Sequence, residues 1–166
     1  MIRKVYRRGA LSLVTALGAL PLLHCGMSEA RNDPPPPAAA PAGTPGVEPQ
    51  RIQVQHVLVG FSGSVPGKRI TRSQDEARTL AYDILKRAQG GADFNALVRE
   101  HTDDSPPGIY GMSNRGVAAA QGEFQREGMV AAFGDVGFTL PVGGYGVADF
   151  DPRSSPFGYH VIKRLK

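Results

Sequence analysis

RIQVQHVLV, at residues 51–59, alternates polar and apolar side chains in its first half and becomes almost continuously apolar in its second half. This pattern is typical of a strand in the middle of a sheet, where both faces are covered. Alternation places His56 on the same face as Val54 and Leu58. A single histidine in such a run is more often a buried core residue than a functional one. The segment therefore predicts a central strand with one candidate functional side chain.

The end of the chain repeats this arrangement. FGYHVI, at residues 157–162, places His160 inside a second apolar strand pattern. The first and last strands of a compact sheet of the α+β class are often neighbours. Since each of these two strands carries one histidine, His56 and His160 are predicted to meet at one site.

Two helices are predicted after the first strand. SQDE, at residues 73–76, has the form of a capping box, and apolar residues then repeat at helical spacing until Gly90-Gly91 ends the helix. Asp93 is placed to cap a short second helix. The apolar side of that second helix is formed by Phe94, Leu97 and Val98.

The last third of the chain predicts one more helix and two strands. The helix runs from Met129 to about Val136, and the strands lie at about residues 145–150 and 159–165. The connections between these elements are too irregular for repeated βαβ units. The sequence therefore predicts an α+β fold with an antiparallel sheet.

The amino terminus has the pattern of a bacterial export signal, predicted at residues 1–25. Four basic residues lie within residues 1–8, and an apolar run follows at residues 9–23. That run is shorter than the roughly 20 apolar residues of a transmembrane helix. LLHC, ending at Cys25, resembles a lipoprotein box with His24 in place of the usual small residue, and it favours a lipidated protein on the periplasmic face of a membrane. The alternative is cleavage near Ala30, which would release a soluble periplasmic or secreted protein.

Residues 26–50 are rich in proline, alanine and glycine and have few large apolar side chains. Such a segment cannot bury enough surface to offset its ordering entropy, so a flexible linker is predicted. Residues 51–166 remain as the folded domain.

Charge and cysteine content restrict the possible functions. The whole chain has a formal net charge of +4, but the excess lies largely in the predicted signal, so the charge gives no indication of nucleic-acid binding. Cys25 is the only cysteine, which excludes a disulfide within the chain. Nothing in the sequence predicts an assembly larger than a monomer.

Four segments, in the same order along the chain, resemble the parvulin family of peptidyl-prolyl cis-trans isomerases. They are QHVLV at residues 55–59, ITRSQDEA at 70–77, GMVAAF at 128–133 and FGYHVI at 157–162. The resemblance implies a parvulin-like (FKBP-like) fold over residues 51–166, with a four-stranded antiparallel sheet surrounded by about four helices. It also implies a shallow cleft for a proline-containing segment.

The resemblance further implies roles for individual residues. His56 and His160 match the paired histidines on the floor of the family's site. Asp104 falls where the family has Cys or Asp, and Ser155 falls at the position of a small hydroxyl residue that faces the histidines. The apolar wall and rim of the proline site are matched by Tyr110, where the family usually has leucine, Met129, Phe133 and Phe157.

The implied chemistry requires neither a nucleophile nor a cofactor. Twisting a prolyl amide breaks its resonance, so an enzyme need only bind the twisted form more tightly than either planar isomer. Proline-containing segments of exported or envelope proteins would be the clients. The loop at residues 60–67 contains no Lys or Arg, so no phosphate requirement is expected.

Departures from the family's pattern support rival hypotheses. Tyr110 is bulkier than the residue usual at its position. The stretch at residues 117–127 is longer than the family's link, and this extra length predicts a lid, a substrate contact or a tolerated surface insertion. These features favour a catalytically weak chaperone-like binding module. A third hypothesis, a metal-binding lipoprotein using His56, His160 and Asp104, is weaker because these residues lack short ligand spacings.

Overall fold

Residues 51–59 form the central strand, β1 (Arg51–Val59), of a five-stranded sheet. The structure is a computed structural model that describes residues 47–166. The predicted export signal at residues 1–25, with Cys25, and residues 26–46 of the predicted linker lie outside the described residues. The remaining elements, in chain order, are α1 (Gln74–Gln89), α2 (Phe94–His101), β2 (Ile109–Ser113), β3 (Glu123–Gln125), a 3-10 helix (Arg126–Gly128), α3 (Ala131–Thr139), β4 (Tyr145–Ala148) and β5 (Tyr159–Arg164).

The sheet order is β3-β2-β1-β5-β4, so the first and last strands of the domain are neighbours, as predicted. β1 and β5 run antiparallel, and Leu58 lies opposite His160 in their register. Since Leu58 shares a face with His56, the two histidines point to the same side of the sheet.

Alternating side chains of β1 and β5 build two apolar layers. Val57, Val59 and Val161 are fully buried against α1 and α2 on one face. Ile52, Val54 and Ile162 pack on the opposite face, where α3 covers the sheet. The histidines alternate with the first set and therefore lie on the α3 side.

The two helices after β1 form where the capping signals predicted them. The Ser73 hydroxyl accepts a hydrogen bond from the Glu76 backbone, and the Glu76 carboxylate accepts one from the Ser73 backbone, which completes the capping box. Asp93 caps α2 through the Asn95 backbone N–H. The side chains that these helices bury are Ala77, Ala81, Ile84, Ala88, Phe94, Leu97 and Val98.

The sheet differs from the prediction in one strand. The implied sheet had four antiparallel strands with about four helices, whereas the described residues form five strands, three α-helices and one 3-10 helix. The extra strand, β3, comes from the predicted insertion at residues 117–127 and runs parallel to β2. It spans only three residues, which is too short for an alternating pattern to reveal.

The third helix was predicted too early. Met129 has an extended backbone conformation, Val130 is the residue that precedes the helix and is not helical, and α3 begins at Ala131. No side chain caps this helix, so the sequence contains no local signal for its start. The helix continues to Thr139, and Leu140 then adopts the extended conformation favoured before a proline.

Three residues of the predicted linker contact the domain. The Glu48 carboxylate forms an ion pair with Arg126 at 2.6 Å, and the Asn114 side chain and backbone donate to the carbonyl groups of Pro49 and Gln50. The described chain is therefore attached to the sheet from residue 48 onward. Across residues 47–166, every helix is too short or too polar to span a bilayer.

Candidate functional site

The floor of the site is a pair of buried histidines. His56 and His160 are each 4% exposed, and their Nδ1 atoms lie 3.1 Å apart. The rings are nearly parallel, with an angle of 13° between their planes. The predicted meeting of the two imidazoles is confirmed.

Asp104 is brought to this pair by the segment that follows α2. This segment is hydrogen-bonded along β1, with Asp103 N–H donating to the Leu58 carbonyl at 2.8 Å and Leu58 N–H donating to the Thr102 hydroxyl at 3.1 Å. Asp104 Oδ2 consequently lies 3.1 Å from His56 Nε2. The chain thus brings an acid from a loop to a histidine in a strand.

The Tyr110 side chain also contacts Asp104 Oδ2. Its hydroxyl donates to Asp104 Oδ2 at 2.8 Å, and its ring meets the His56 ring edge-on at a centroid distance of 5.4 Å. The resemblance implied only an apolar wall here. The hydroxyl adds a fourth member to a continuous chain of hydrogen bonds from Tyr110 through Asp104 and His56 to His160.

A glycine allows the loop to approach His56. Gly108 has a φ of +62° and its carbonyl accepts from the His56 N–H at 2.9 Å. A Cβ at this position would lie 2.7 Å from the His56 carbonyl oxygen and 3.2 Å from the imidazole. Only glycine combines that backbone conformation with this closeness.

Burial and charge set the protonation states of the site. Hydrogen bonding from His56 holds the pKa of the Asp104 carboxyl well below its ordinary value, against the opposing effect of partial burial. Burial, together with the neighbouring His56, lowers the pKa of His160 to about 3. Burial and the adjacent Asp104 raise the pKa of Tyr110 to about 12. At neutral pH the site contains a carboxylate, a neutral His160 and a neutral phenol.

The ionised state of Asp104 defines the direction of the two hydrogen bonds that it forms with side chains of the site. An ionised Asp104 can only accept, so His56 Nε2 and the Tyr110 hydroxyl both donate to it. The third hydrogen bond joins His56 Nδ1 to His160 Nδ1, and its direction is set by the tautomers of the two rings. His160 Nε2 is buried and has no hydrogen-bond partner among the described residues.

The neutral state of His160 makes the stability of the fold depend on pH. In the unfolded chain this histidine binds a proton below about pH 6.5, whereas in the folded state it does not until about pH 3. The free energy of unfolding is therefore expected to decrease as the pH falls below 6.5, by up to about 1.4 kcal/mol per pH unit. Asp104 adds a further loss only below its ordinary value of 3.8.

Urea unfolding between about pH 7 and about pH 4.5 measures this dependence. A His160→Gln variant lacks the titrating group, so its slope should be shallower than that of the wild-type protein. Equal slopes in the two proteins would contradict the assignment to His160.

Apolar side chains cover the histidines and enclose a cavity of about 280 Å³. The Phe133 ring meets His56 and His160 edge-on, at centroid distances of 5.1 and 5.4 Å. Seven of the eight residues predicted for the catalytic network and the substrate pocket line this cavity: His56, Asp104, Tyr110, Met129, Phe133, Phe157 and His160.

Ser155 is the predicted residue that the structure does not bring into the cavity. It is fully buried, and its hydroxyl donates to the Gly158 carbonyl at 2.9 Å rather than to a histidine. Its backbone N–H also bonds to the Asp151 carbonyl at 2.9 Å. In this geometry Ser155 holds the turn that leads into β5.

Four lining residues were not predicted: Leu58, Val65, Pro66 and Val130. Leu58 had a signal, because it alternates with His56 on the same face of β1. Val65 and Pro66 belong to an irregular loop whose path no periodicity predicts. Within residues 47–166, no three His, Cys, Asp or Glu side chains are grouped to hold a metal ion.

Comparison with curated proteins finds folding factors. Chaperone SurA of Chromohalobacter salexigens is 35% identical over 111 residues, which are 67% of this chain and 21% of that protein. Foldase protein PrsA 4 of Bacillus cereus is 30% identical over 113 residues, which are 68% of this chain and 31% of that protein. The chain therefore spans about a fifth to a third of the length of these relatives.

Comparison with solved structures confirms the fold class. Peptidyl-prolyl isomerase ESS1 from Candida albicans matches with a TM-score of 0.54 and 21% identity, over 70% of this chain and 63% of that one. The solution structure of TbPIN1 matches with a TM-score of 0.52 and 23% identity, over 70% of this chain and 98% of that one. At these identities the likeness concerns the fold alone.

The match to a family model covers most of the chain. The model described as a PPIC-type PPIASE domain matches residues 44–166, which include β1 and β5 with their paired histidines. Together with the relatives above, this match shows that the chain belongs to the parvulin family of peptidyl-prolyl isomerase domains.

Proposed function

We propose that this domain catalyses cis-trans isomerisation of X-Pro bonds in unphosphorylated segments of exported proteins, by non-covalent stabilisation of the twisted amide. The observation that supports this most directly is the polar floor of the cavity. His56, His160 and Asp104 form one hydrogen-bonded chain beneath otherwise apolar walls.

The barrier to be lowered is electronic. Rotation about a prolyl amide costs about 20 kcal/mol because twisting the C–N bond breaks its resonance. As the bond twists, the polarity of the carbonyl and of the nitrogen changes. A site that is fixed in advance to match this altered polarity binds the twisted state more tightly than either planar isomer, and that difference accelerates the reaction.

Apolar and polar residues of the cavity have different roles in this mechanism. Met129, Phe133 and the Tyr110 ring enclose an apolar space for the pyrrolidine ring. The floor below it holds its hydrogen-bonding groups in one arrangement because every member except His160 Nε2 is paired. Polar groups held in this way need little reorientation when the substrate binds. Electrostatic stabilisation of the twisted amide requires groups that are preorganised in this sense.

The loop side of the cavity supports an unphosphorylated client. Val65 and Pro66 line the cavity there, and neither carries a charge. The nearby Arg72 is engaged by the Asp103 carboxylate and by the Gly60 carbonyl. A dianionic phosphate would therefore find no free cation among the lining residues.

The clients and the location follow from the predicted amino terminus. An export signal at residues 1–25 and lipidation of Cys25 would tether the domain, through the linker, to the periplasmic face of a membrane. Cleavage near Ala30 would instead leave a soluble exported domain. The names of the curated relatives, a chaperone and a foldase, support clients that are polypeptides in the course of folding.

A binding module with little catalysis is the second candidate. The Tyr110 wall favours it, since this side chain is bulkier than the leucine usual in the family and its hydroxyl is held by Asp104. Binding without catalysis would still suit a chaperone.

Isomerisation of an unphosphorylated Ala-Pro peptide tests the two candidates. We expect the purified protein to accelerate cis-to-trans conversion, and Asp104→Ala and His160→Ala to lower kcat/KM by about ten- to hundred-fold. Asp83→Ala is the matched control, because this exposed carboxylate lies on α1, across the sheet from the site.

The outcome separates the two candidates. Acceleration that falls in the site variants and persists in the control establishes the enzyme. No acceleration by folded wild-type protein, across several residues before proline, leaves the binding module as the function.

A further inference from the structure

The insertion at residues 117–127 places an exposed aromatic side chain beside the cavity. Phe124, on β3, is 51% exposed, and its ring centroid lies 5.8 Å from that of Tyr110. Tyr110 lines the cavity, whereas Phe124 lies outside it. The two rings therefore continue the apolar wall of the cavity onto the surface.

Strand pairing explains this position. β3 runs beside β2 with Phe124 opposite Met112, and Met112 shares a face with Tyr110. Phe124 thus projects on the side of the sheet that carries the histidines. It is exposed because β3 is the edge strand, and among residues 47–166 no helix packs extensively against it.

The cavity is too small to hold the client residues on either side of the proline. A volume of about 280 Å³ is at the small end for ligand pockets and suits a pyrrolidine ring. The residue before or after the proline must then lie on the surface next to the cavity. On the Tyr110 side, that surface is Phe124.

We propose that Phe124 and Tyr110 form a subsite for an apolar side chain adjacent to the proline of the client. This inference rests on the proposed function and adds a residue that determines substrate preference. Continuity with the proline cavity identifies the occupant as the same client segment.

The surroundings of Phe124 favour an apolar occupant over a charged one. Glu123 precedes Phe124 on β3, so it faces the opposite side of the sheet, where it is paired with Arg51. Arg126 is buried and paired with Glu48 and Asp135. Dispersion and burial of apolar surface are then the main attractions available.

A peptide series tests the subsite. Peptides of the form Ala-Xaa-Pro-Ala and Ala-Ala-Pro-Xaa, with Xaa as Ala, Leu or Glu, give kcat/KM and, by titration, Kd. For wild-type protein we expect Leu to be preferred over Ala by roughly three- to ten-fold in one of the two series, with no such preference for Glu. In Phe124→Ala this preference should fall to within about two-fold, and Phe124→Tyr should retain it.

Ile109→Ala is the matched control. Ile109 is 42% exposed, but it adjoins Tyr110 on β2 and therefore faces the opposite side of the sheet. Its loss should leave the preference for Leu unchanged.

The results distinguish the subsite from the activity it rests on. If wild-type protein isomerises every peptide and Phe124→Ala keeps the same preference for Leu in both series, the subsite is excluded while the enzyme stands. If no peptide is isomerised, the enzyme is excluded, and the Kd values still decide the subsite by the same comparison. A Leu preference that is equally lost in Ile109→Ala would also overturn the assignment.

Discussion

Replacing Phe133 with alanine is expected to lower the free energy of unfolding by about 3 to 5 kcal/mol and to remove most isomerase activity. The side chain is 2% exposed, and its ring contacts both histidines and Tyr110. Its removal would leave a cavity in the core and would also admit water to the polar floor. Urea unfolding and the Ala-Pro peptide assay measure the two effects.

Phe138→Ala separates the two effects of this change. Phe138 is on the same helix, equally buried and in the same apolar cluster, but it packs under Arg126 and does not line the cavity. A similar loss of stability is expected, whereas kcat/KM of the folded protein should be retained. If Phe133→Ala and Phe138→Ala lowered kcat/KM equally, the place of Phe133 in the pocket would be refuted.

Replacing Gly158 with alanine is expected to destabilise the fold by about 3 kcal/mol or more. Gly158 precedes β5 with a φ of +131°, a conformation that L-residues rarely adopt. A Cβ here would lie 2.4 Å from the Val59 carbonyl oxygen and 2.9 Å from the Gly60 Cα. Because both contacts are with backbone, β1 and β5 would have to separate at the end nearest the histidines.

Gly116→Ala is the matched comparison for this prediction. Gly116 also has a positive φ, of +74°, but no atom lies within 4 Å of the added Cβ. It should therefore show only the conformational cost, about 1 to 2 kcal/mol. Equal losses for the two variants in urea unfolding would show that the contact with Val59 is unimportant.

Elements with a complete local pattern were predictable. α1 has a capping box, a helical repeat and a glycine stop within its own segment, and β1 has its alternation. Each of these signals acts between residues close in sequence, so it can be identified without knowledge of the fold. α3 lacks a side-chain cap, and its start was misplaced by two residues for that reason.

The candidate site was predictable in part. Two histidines in apolar strands, at the two ends of one domain, indicated a shared site, and the order of four segments added the pocket residues. The hydroxyl of Tyr110 on Asp104, the position of Ser155 in the turn before β5 and the loop residues Val65 and Pro66 were not predictable. These features depend on which segments meet.

By itself the sequence determined the α+β class, the strands that carry His56 and His160, and the family. The class and the strands follow from periodicity and capping, which are properties of neighbouring residues, and the family follows from the resemblance of four segments in the same order. Tertiary structure alone decided that residues 123–125 form an edge strand and that Arg126 is buried with Glu48 and Asp135 as its partners. The physical reason is that hydrogen bonds and ion pairs between distant segments form only where packing brings their atoms within about 3 Å of each other.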